Sequence, residues 1–238
     1  METEQCRIDL YSSKKYYAVK IRENIFTAKN IYGRDLVKAY KLRHQIFAEQ
    51  LRWVPRTKSN LEIDDYDSGS IHFGAFIDRE LVAYLRLIIP ENQFMLENEF
   101  IDLIGQGHTI RKFHDTAEVS RLCISQRGRT HRSISTPYGT FDIVMLLYKS
   151  IYTWCNMNGV RYLYAVIAQE LFRLIRAKGF PCDPIGPFTD MPGGVTAVAV
   201  IMDWRDFEER NASKRQLVWF SRNQPDRGIE LLPRLETC

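Results

Sequence analysis

The order of strand-like and helix-like segments constrains the fold of this 238-residue chain more than any other feature of its sequence. Residues 71–89 hold two runs of β-forming residues around a short polar turn, which predicts an antiparallel hairpin. Further on, residues 138–156 are apolar at helical spacing and lie between the strand-like runs 117–124 and 161–167. The whole predicted order is β-α-loop-β-β-α-β-α-β-α-β-α, in which the first helix covers residues 35–50 and the second covers residues 95–104. Such alternation indicates an α/β fold with a mixed central sheet flanked by helices on both faces.

The same pattern predicts one domain. Residues 16–221 carry the alternation without a repeat or a linker, so we expect residues 1–15 to be a flexible N-terminal extension and residues 222–238 a polar tail. A hairpin followed by β-α-β-α-β is compatible with the GNAT fold of acyl-CoA N-acyltransferases, one of several α/β folds that this order allows. The 45% hydrophobic content is ample for a core and argues against disorder.

Composition and charge narrow the class of protein. A net charge of +4 is too weak to indicate a nucleic-acid partner. The five cysteines form no CxxC pair and the five histidines show no HxxxH or His-Cys spacing, so we expect structural cysteines and no metal. Residues 1–15 are polar, unlike a signal peptide, and Asp142 and Lys149 interrupt the longest apolar run. We therefore expect a soluble, cytoplasmic protein without membrane contact.

Residues 43–67 combine a guanidinium, large aromatic rings and several acids within a short span. A solvated acidic loop or a helix cap would explain the acids alone. Carboxylates held beside aromatic rings can instead bind an ammonium or sulfonium group through charge and cation–π contact. Both interpretations stay open on these residues alone, which are Arg43, Phe47, Trp53, Glu62, Asp64, Asp65, Tyr66 and Asp67.

Charged residues also lie inside predicted strands. Glu118 and Arg121 are three positions apart on one strand, where such residues point to opposite faces and need not pair with each other. Arg86 lies in an otherwise apolar strand and needs a carboxylate, for which Asp64 and Asp67 are candidates. Ordinary ion pairs would explain these charges, although charged groups inside a sheet also mark functional sites.

A basic segment with Arg127, Arg129 and Arg132 lies between a strand and a helix. In GNAT enzymes this junction holds the phosphates of coenzyme A on a run with two glycines, whose backbone amides contact the pyrophosphate. The second glycine is missing here. The segment is either a solvated basic loop or a contact for an acidic carrier protein or a phosphopantetheine phosphate.

Several motifs together resemble the acyl-homoserine-lactone synthases of the LuxI type. Leu42-Arg43-x3-Phe47-x2-Gln50-x2-Trp53 and Glu62-x-Asp64-x-Tyr66-Asp67 resemble the two halves of the family signature. Arg86-Leu87 and Glu118-Val-Ser-Arg121 match the family further along the chain. The resemblance covers roughly residues 35–202, and Pro55 departs from it where the family usually has an aliphatic residue.

The resemblance implies a GNAT-like fold and a defined reaction. These enzymes transfer an acyl chain from acyl carrier protein to the amine of S-adenosylmethionine. The product lactonises, releases methylthioadenosine and serves as a quorum-sensing signal. S-adenosylmethionine is thus a substrate, and we expect no cofactor and a monomeric enzyme. The missing glycine agrees with a carrier-protein donor, although a few family members use acyl-coenzyme A.

The resemblance also implies roles for single residues. We expect Glu118 to be the general base, Asp64 to hold the substrate amine and Arg121 to act with them. The pocket for S-adenosylmethionine is assigned to Arg43, Phe47, Trp53 and Asp64. A structural charge network is assigned to Asp67, Arg86 and Arg121. Glu62 and Asp65 stay undecided between function and solvent.

The acyl side of the site is assigned in the same way. The acyl pocket is assigned to Leu122, Met145 and Ala165, and the contact with the carrier protein to Arg127, Arg129 and Arg132. Ala165 occupies the place where family members that prefer 3-oxo chains carry a threonine. An alanine cannot donate a hydrogen bond to a 3-oxo group, so we expect an unsubstituted acyl chain.

Three other functions compete with this one. An N-acyl amino acid synthase resembles the same fold and would use acyl carrier protein with a free amino acid, making no lactone. A catalytically silent module that binds a carrier protein is disfavoured because the acids and arginines are all present. A general coenzyme-A acetyltransferase is disfavoured by the missing glycine.

Overall fold

The computed structural model describes residues 16–131, 134–214, 218–220 and 229–235. Its strands, in chain order, are β1 (Tyr16–Glu23), β2 (Phe26–Asn30), β3 (Ile71–Ile77), β4 (Glu80–Ile88), β5 (Thr116–Ile124), β6 (Ile134–Thr136), β7 (Gly139–Phe141), β8 (Tyr162–Ala168), β9 (Asp183–Pro184), β10 (Thr189–Met191), β11 (Val195–Asp203) and β12 (Ile229–Leu235). Its α-helices are α1 (Gly33–Arg43), α2 (Gln126–Thr130), α3 (Ile143–Asn158), α4 (Gln169–Ala177) and α5 (Trp204–Asn211).

Within these residues one sheet holds the order β10-β11-β8-β5-β4-β3-β2-β1-β12, with β9 beside β11. Its neighbouring strands are antiparallel except for β5 and β8, which run parallel. The parallel pairing requires a crossover between these strands, and α3 lies within it. The parallel register ends at Val119 opposite Ala165, although both strands continue beyond that point. The sheet therefore opens between β5 and β8.

Helices cover both faces of the sheet, as the sequence predicted. On β4, Leu85 belongs to the main core beneath α3, whereas the adjacent Tyr84 packs with residues of α1 on the other face. This alternation follows from the strand geometry, which sends successive side chains to opposite faces. Trp154 of α3 is fully buried in the main core, as expected for an apolar helix.

Several local predictions were wrong. The helix expected over residues 35–50 ends at Arg43 and continues as a π-helical segment, His44–Gln50. Strand β2 and the hairpin of β6 and β7 were not predicted, and the expected helix at 95–104 consists of two separate 3-10 turns, Met95–Glu97 and Ile101–Leu103. The π segment has a direct consequence for the site, because it carries Phe47.

The expected N-terminal extension, residues 1–15, lies outside the described residues. So does the expected polar tail, residues 222–238, apart from β12, which pairs with β1. The domain boundaries stay a prediction. In the described part of the chain, no helix combines the length and the apolar character needed to cross a bilayer.

Candidate active site

Three arginines from three elements meet the acidic loop that follows Trp53. Arg43, at the end of α1, has no exposed surface. Its Nε donates to Glu62, and its Nη1 donates to Asp67 Oδ1 at 2.5 Å. The loop is held in register here because the backbone N–H of Glu62 donates to the carbonyl of Tyr40 on the same helix. Buried charges of this kind are tolerated because each one is paired.

Arg86 of β4 joins the same loop from the sheet. Its Nη1 donates to Asp64 and to Asp67 Oδ1, the latter at 2.8 Å, while its Nε donates to Ser120 Oγ at 2.9 Å. The prediction that Arg86 needs Asp64 or Asp67 is confirmed, and both acids serve it. Burial acts to raise the pKa of Asp67, but the hydrogen bond from Arg43 and the charges of Arg43 and Arg86 outweigh it and lower that pKa.

Arg121 reaches the loop from β5 through a β-bulge. Tyr84 pairs with Cys123 and Arg86 pairs with Ser120, so one residue of β4 opposes two of β5. Arg121 takes a left-handed backbone conformation there, with φ at 57°, which is uncommon for a residue other than glycine.

The bulge decides what Arg121 contacts. Its Nε donates to Glu62 Oε1 at 3.1 Å, and its Nη2 lies 2.6 Å from Asp64 Oδ2. Arg121 had been assigned to one network with Asp67, but the acids that it meets are Glu62 and Asp64. The role of Glu62 was left open by the sequence. In the structure Glu62 is the third carboxylate of the network and pairs with both Arg43 and Arg121. Matching the arginines against the acids of the motif would have indicated it.

Glu118 and Arg121 lie on the same side of β5, which overturns the expectation of opposite faces. The backbone N–H of Leu96 approaches Glu118 Oε2 at 3.5 Å, and Met95 Sδ lies 3.8 Å from Arg121 Nη1. Both side chains therefore face the turn at Met95–Glu97. An ideal strand would separate them, and the bulge at Arg121 brings them together.

Glu118 is 1% exposed, and burial raises the pKa of its carboxyl to about 8. The backbone N–H groups of Leu96 and Met95 and the charge of Arg86 oppose this rise, whereas Glu97 adds to it. A carboxyl group with a pKa near the working pH is suited to accept a proton during a reaction.

A cavity of about 750 Å³ opens where β5 and β8 separate. Consecutive residues of both strands line it, namely 118–124 of β5 and 165–168 of β8. Because consecutive side chains of a strand point to opposite faces, the cavity reaches both sides of the sheet. Its size and its mostly apolar lining are typical of a small-molecule site.

Aromatic rings border the cavity on the side of α1. Phe47 and Trp53 line it and stack with their ring centroids 6.0 Å apart and their planes at 29°. The guanidinium carbon of Arg121 lies 5.7 Å from the centre of the Phe47 ring. Trp53 is 47% exposed and lines the cavity, so a ligand there can reach its ring. These faces suit a cationic or aromatic ligand.

The structure separates the residues assigned to the S-adenosylmethionine pocket. Phe47 and Trp53 line the cavity, whereas Arg43 does not, because its guanidinium is enclosed by carboxylates. Asp64 does not line it either, and its side chain is 19% exposed and pairs with arginines. Arg43 and Asp64 thus hold the loop in place, and of the four assigned residues only the two rings line the cavity.

The residues assigned to the acyl pocket are also divided. Leu122 and Ala165 line the cavity. Met145 does not line it and is buried in the main core. Tyr148 and Ile151, on later turns of the same helix, line the cavity instead. Helical spacing alone did not distinguish these neighbouring positions.

The basic segment forms the short helix α2. Arg127 pairs with Glu80 and lies 3.4 Å from Asp78, Arg129 lines the cavity, and Arg132 lies outside the described residues. Gly128 packs directly on β4, because a Cβ atom there would lie 2.8 Å from the carbonyl oxygen of Val82. The single glycine is therefore explained by packing.

Two buried residues below the charge network were missed. The hydroxyl of Tyr84 donates to His72 Nδ1 at 2.7 Å, and His72 Nε2 lies 3.2 Å from the carbonyl oxygen of Asp67. Burial lowers the pKa of His72 to about 4, so the imidazole is neutral at physiological pH. Nothing in the sequence spacing singles out this pair. In the part of the chain that the structure describes, no group of His, Cys, Asp or Glu is arranged to hold a metal ion.

Comparisons with known proteins show to which family the chain is similar. The family model described as autoinducer synthase matches residues 28–212. An acyl-homoserine-lactone synthase of Aliivibrio fischeri is 29% identical over 71% of this chain and 84% of its own length. The crystal structure of the AHL synthase LasI superposes with a TM-score of 0.62 at 21% identity, covering 81% of this chain and 91% of its own. The coenzyme-A-dependent synthase BjaI, solved with MTA, gives a TM-score of 0.62 at 20% identity, covering 76% and 82%.

The fold and these relatives therefore define an acyltransferase with a GNAT-like α/β fold, as predicted. The chain belongs to the autoinducer synthase family, which confirms the resemblance found in its motifs.

Proposed function

We propose that this enzyme makes an N-acyl homoserine lactone from S-adenosylmethionine and an acyl thioester. The observation that carries the proposal is the position of Glu118, a buried carboxyl with a pKa of about 8, on a cavity that reaches both sides of the sheet. The aromatic faces of Phe47 and Trp53 suit a sulfonium substrate on one side. The apolar lining suits an acyl chain.

The reaction has two bond-forming steps. Glu118 takes a proton from the ammonium group of S-adenosylmethionine, directly or through water, and the amine attacks the thioester carbonyl. The nitrogen–carbon bond forms, the carbon–sulfur bond of the thioester breaks and the thiol leaves with a proton. The methionine carboxylate then attacks its own γ-carbon and expels neutral methylthioadenosine. No cofactor takes part.

The charge network acts through the loop. Arg43, Arg86 and Arg121 hold Glu62, Asp64 and Asp67 in one arrangement. This arrangement fixes the side chain of Arg121, while Trp53 is held beside the cavity by its backbone bond to Phe47 and by stacking on the Phe47 ring. Asp64 therefore serves the substrate by orienting Arg121, which lines the cavity.

The acyl donor in this proposal is acyl carrier protein. The single glycine of α2 is used for packing, and Arg129 at the cavity offers a positive charge to a phosphopantetheine phosphate. Arg127 and Arg132 belong to the same contact. Because BjaI is a coenzyme-A-dependent synthase, both donors belong in the test. Ala165 favours an unsubstituted chain. One copy of the chain holds both Glu118 and the cavity, which suffices for an active monomer. A cytoplasmic location is part of the same proposal.

The experiment follows product and leaving group together. Purified enzyme is incubated with S-adenosylmethionine and either decanoyl-carrier protein or decanoyl-coenzyme A, and methylthioadenosine and lactone are measured by mass spectrometry. We expect equimolar products with the carrier protein and little with coenzyme A. More product with decanoyl-coenzyme A than with decanoyl-carrier protein would show that the proposed donor is wrong. An acylated free amino acid formed without S-adenosylmethionine would favour an N-acyl amino acid synthase.

A further inference from the structure

The loop between Trp53 and Glu62 is attached to the rest of the protein at few points. The N–H groups of Trp53 and Val54 donate to the carbonyl of Phe47 at 2.8 and 3.4 Å, and Glu62 N–H donates to the carbonyl of Tyr40 at 3.1 Å. Between these ends, among the described residues, the hydrogen bonds of residues 55–61 stay within the loop except one. That one runs from the backbone N–H of Thr57 to Nε2 of His44, at 3.2 Å.

Thr57 is also the centre of the loop's own hydrogen bonds. Its Oγ1 donates to the carbonyl of Leu61 at 2.7 Å and accepts from the backbone N–H of Leu61 at 3.2 Å. The N–H of Asn60 donates to the carbonyl of Thr57 at 3.2 Å. A bond that holds Thr57 therefore holds the compact turn of residues 57–61 as a unit.

The surroundings of His44 select one tautomer. His44 is 2% exposed. Its Nε2 must accept a hydrogen bond, because it faces the backbone N–H of Thr57. The proton then resides on Nδ1, which lies 3.3 Å from Glu49 Oε1. His44 and Glu49 are five positions apart, and the π-helical segment brings such residues onto one side. The π geometry thus supplies the acceptor that orients the imidazole.

We infer that His44 is a positioning residue that holds the loop carrying Trp53 against the cavity through the Thr57 amide. The inference rests on the proposed function, in which Trp53 contacts S-adenosylmethionine. His44 touches neither the cavity nor Glu118 among the described contacts. Its loss should weaken binding of S-adenosylmethionine and leave the chemical step intact.

Three substitutions of His44 distinguish the effect of its hydrogen bond to Thr57 from the effect of its packing. His44→Gln places a carbonyl oxygen near the position of Nε2 and retains an acceptor for Thr57. His44→Asn reaches only as far as Nδ1, so it can serve Glu49 but not Thr57. His44→Leu removes both contacts. His114→Leu, at an exposed position, is the matched control for the loss of an imidazole.

Hydrogen exchange of the peptide spanning residues 54–61 is measured without substrate, and KM for S-adenosylmethionine and kcat are measured separately. We expect faster exchange and a roughly three- to tenfold higher KM for the asparagine and leucine variants, with kcat within about twofold. The glutamine variant and the control should match the wild type. Faster exchange with an unchanged KM, or a glutamine variant no better than the asparagine variant, would overturn the inference. If the wild type does not use S-adenosylmethionine, the proposed function fails while the exchange data still test the anchoring.

Discussion

The guanidinium of Arg121 meets the carboxylate of Asp64 with an Nη2–Oδ2 distance of 2.6 Å, and Arg86 and Arg43 approach the same carboxylate from two other elements. Asp64 is therefore already surrounded by positive groups before any substrate binds. A substrate ammonium would have to compete with them for its oxygens. The arrangement instead makes Asp64 the point through which the loop fixes Arg121 at the cavity.

The network should be essential for stability. Asp67→Asn leaves Arg43 and Arg86 without one of their buried partners, which should lower the free energy of unfolding by ~3–5 kcal/mol. Asp206→Asn, which breaks a surface pair with Arg210, is the matched control and should cost far less, because solvent screens this pair. Urea denaturation measures both. Equal, small losses for the two variants would show that the network is dispensable.

Glu118 should control the rate and its pH dependence. Glu118→Gln removes the base, so kcat/KM should fall roughly 10²- to 10⁴-fold. For the wild type, the rate should rise with pH and level off above about 8, because the carboxyl must lose its proton before it can accept one. Steady-state assays from roughly pH 5.5 to roughly pH 9.5 test both expectations. A variant with wild-type turnover would exclude Glu118 as the base.

The same group should make the fold less stable in alkali. Burial raises the pKa of Glu118 above its ordinary value of 4.5 to about 8, so the folded protein binds this proton more tightly than the unfolded chain does. The stabilisation is complete below the ordinary value and is lost as pH rises through about 8. The glutamine variant cannot lose a proton. Its free energy of unfolding should therefore fall less than that of the wild type between those pH values, and parallel curves would contradict the assignment.

Ala165 should set the preference for unsubstituted chains. Ala165→Thr adds a hydroxyl on the cavity wall and should shift the product ratio toward 3-oxo chains when both donors compete. Ala197→Thr adds the same hydroxyl elsewhere on the wall and serves as the control. Mass spectrometry gives the two ratios. An equal shift in both variants would mean that position 165 has no special role.

Much of this site could be predicted from the sequence because its motifs are local. Arg86 in an apolar strand required a carboxylate, and the acidic loop offered Asp64 and Asp67. The hairpin of β3 and β4 followed from β-forming residues around a polar turn, a pattern that needs no knowledge of distant contacts.

The remainder depends on contacts between distant parts of the chain. The bulge at Arg121 arises from the pairing of β5 with β4, so the sequence of β5 alone predicts a regular strand. The burial of Arg43 depends on a loop that closes over α1. Met145 was assigned to the cavity because the apolar residues of α3 are alike in type, and only their positions in the folded protein distinguish those that line it.

The most direct test is to supply S-adenosylmethionine labelled with ¹³C in its methionine carbons, together with a series of saturated acyl-carrier proteins of different chain lengths, and to identify the product by mass spectrometry. The account predicts an acyl homoserine lactone that carries the label, formed in equal amount with methylthioadenosine and abolished in Glu118→Gln. An acylated product without the label, or no methylthioadenosine above the level without enzyme at any chain length, would contradict it.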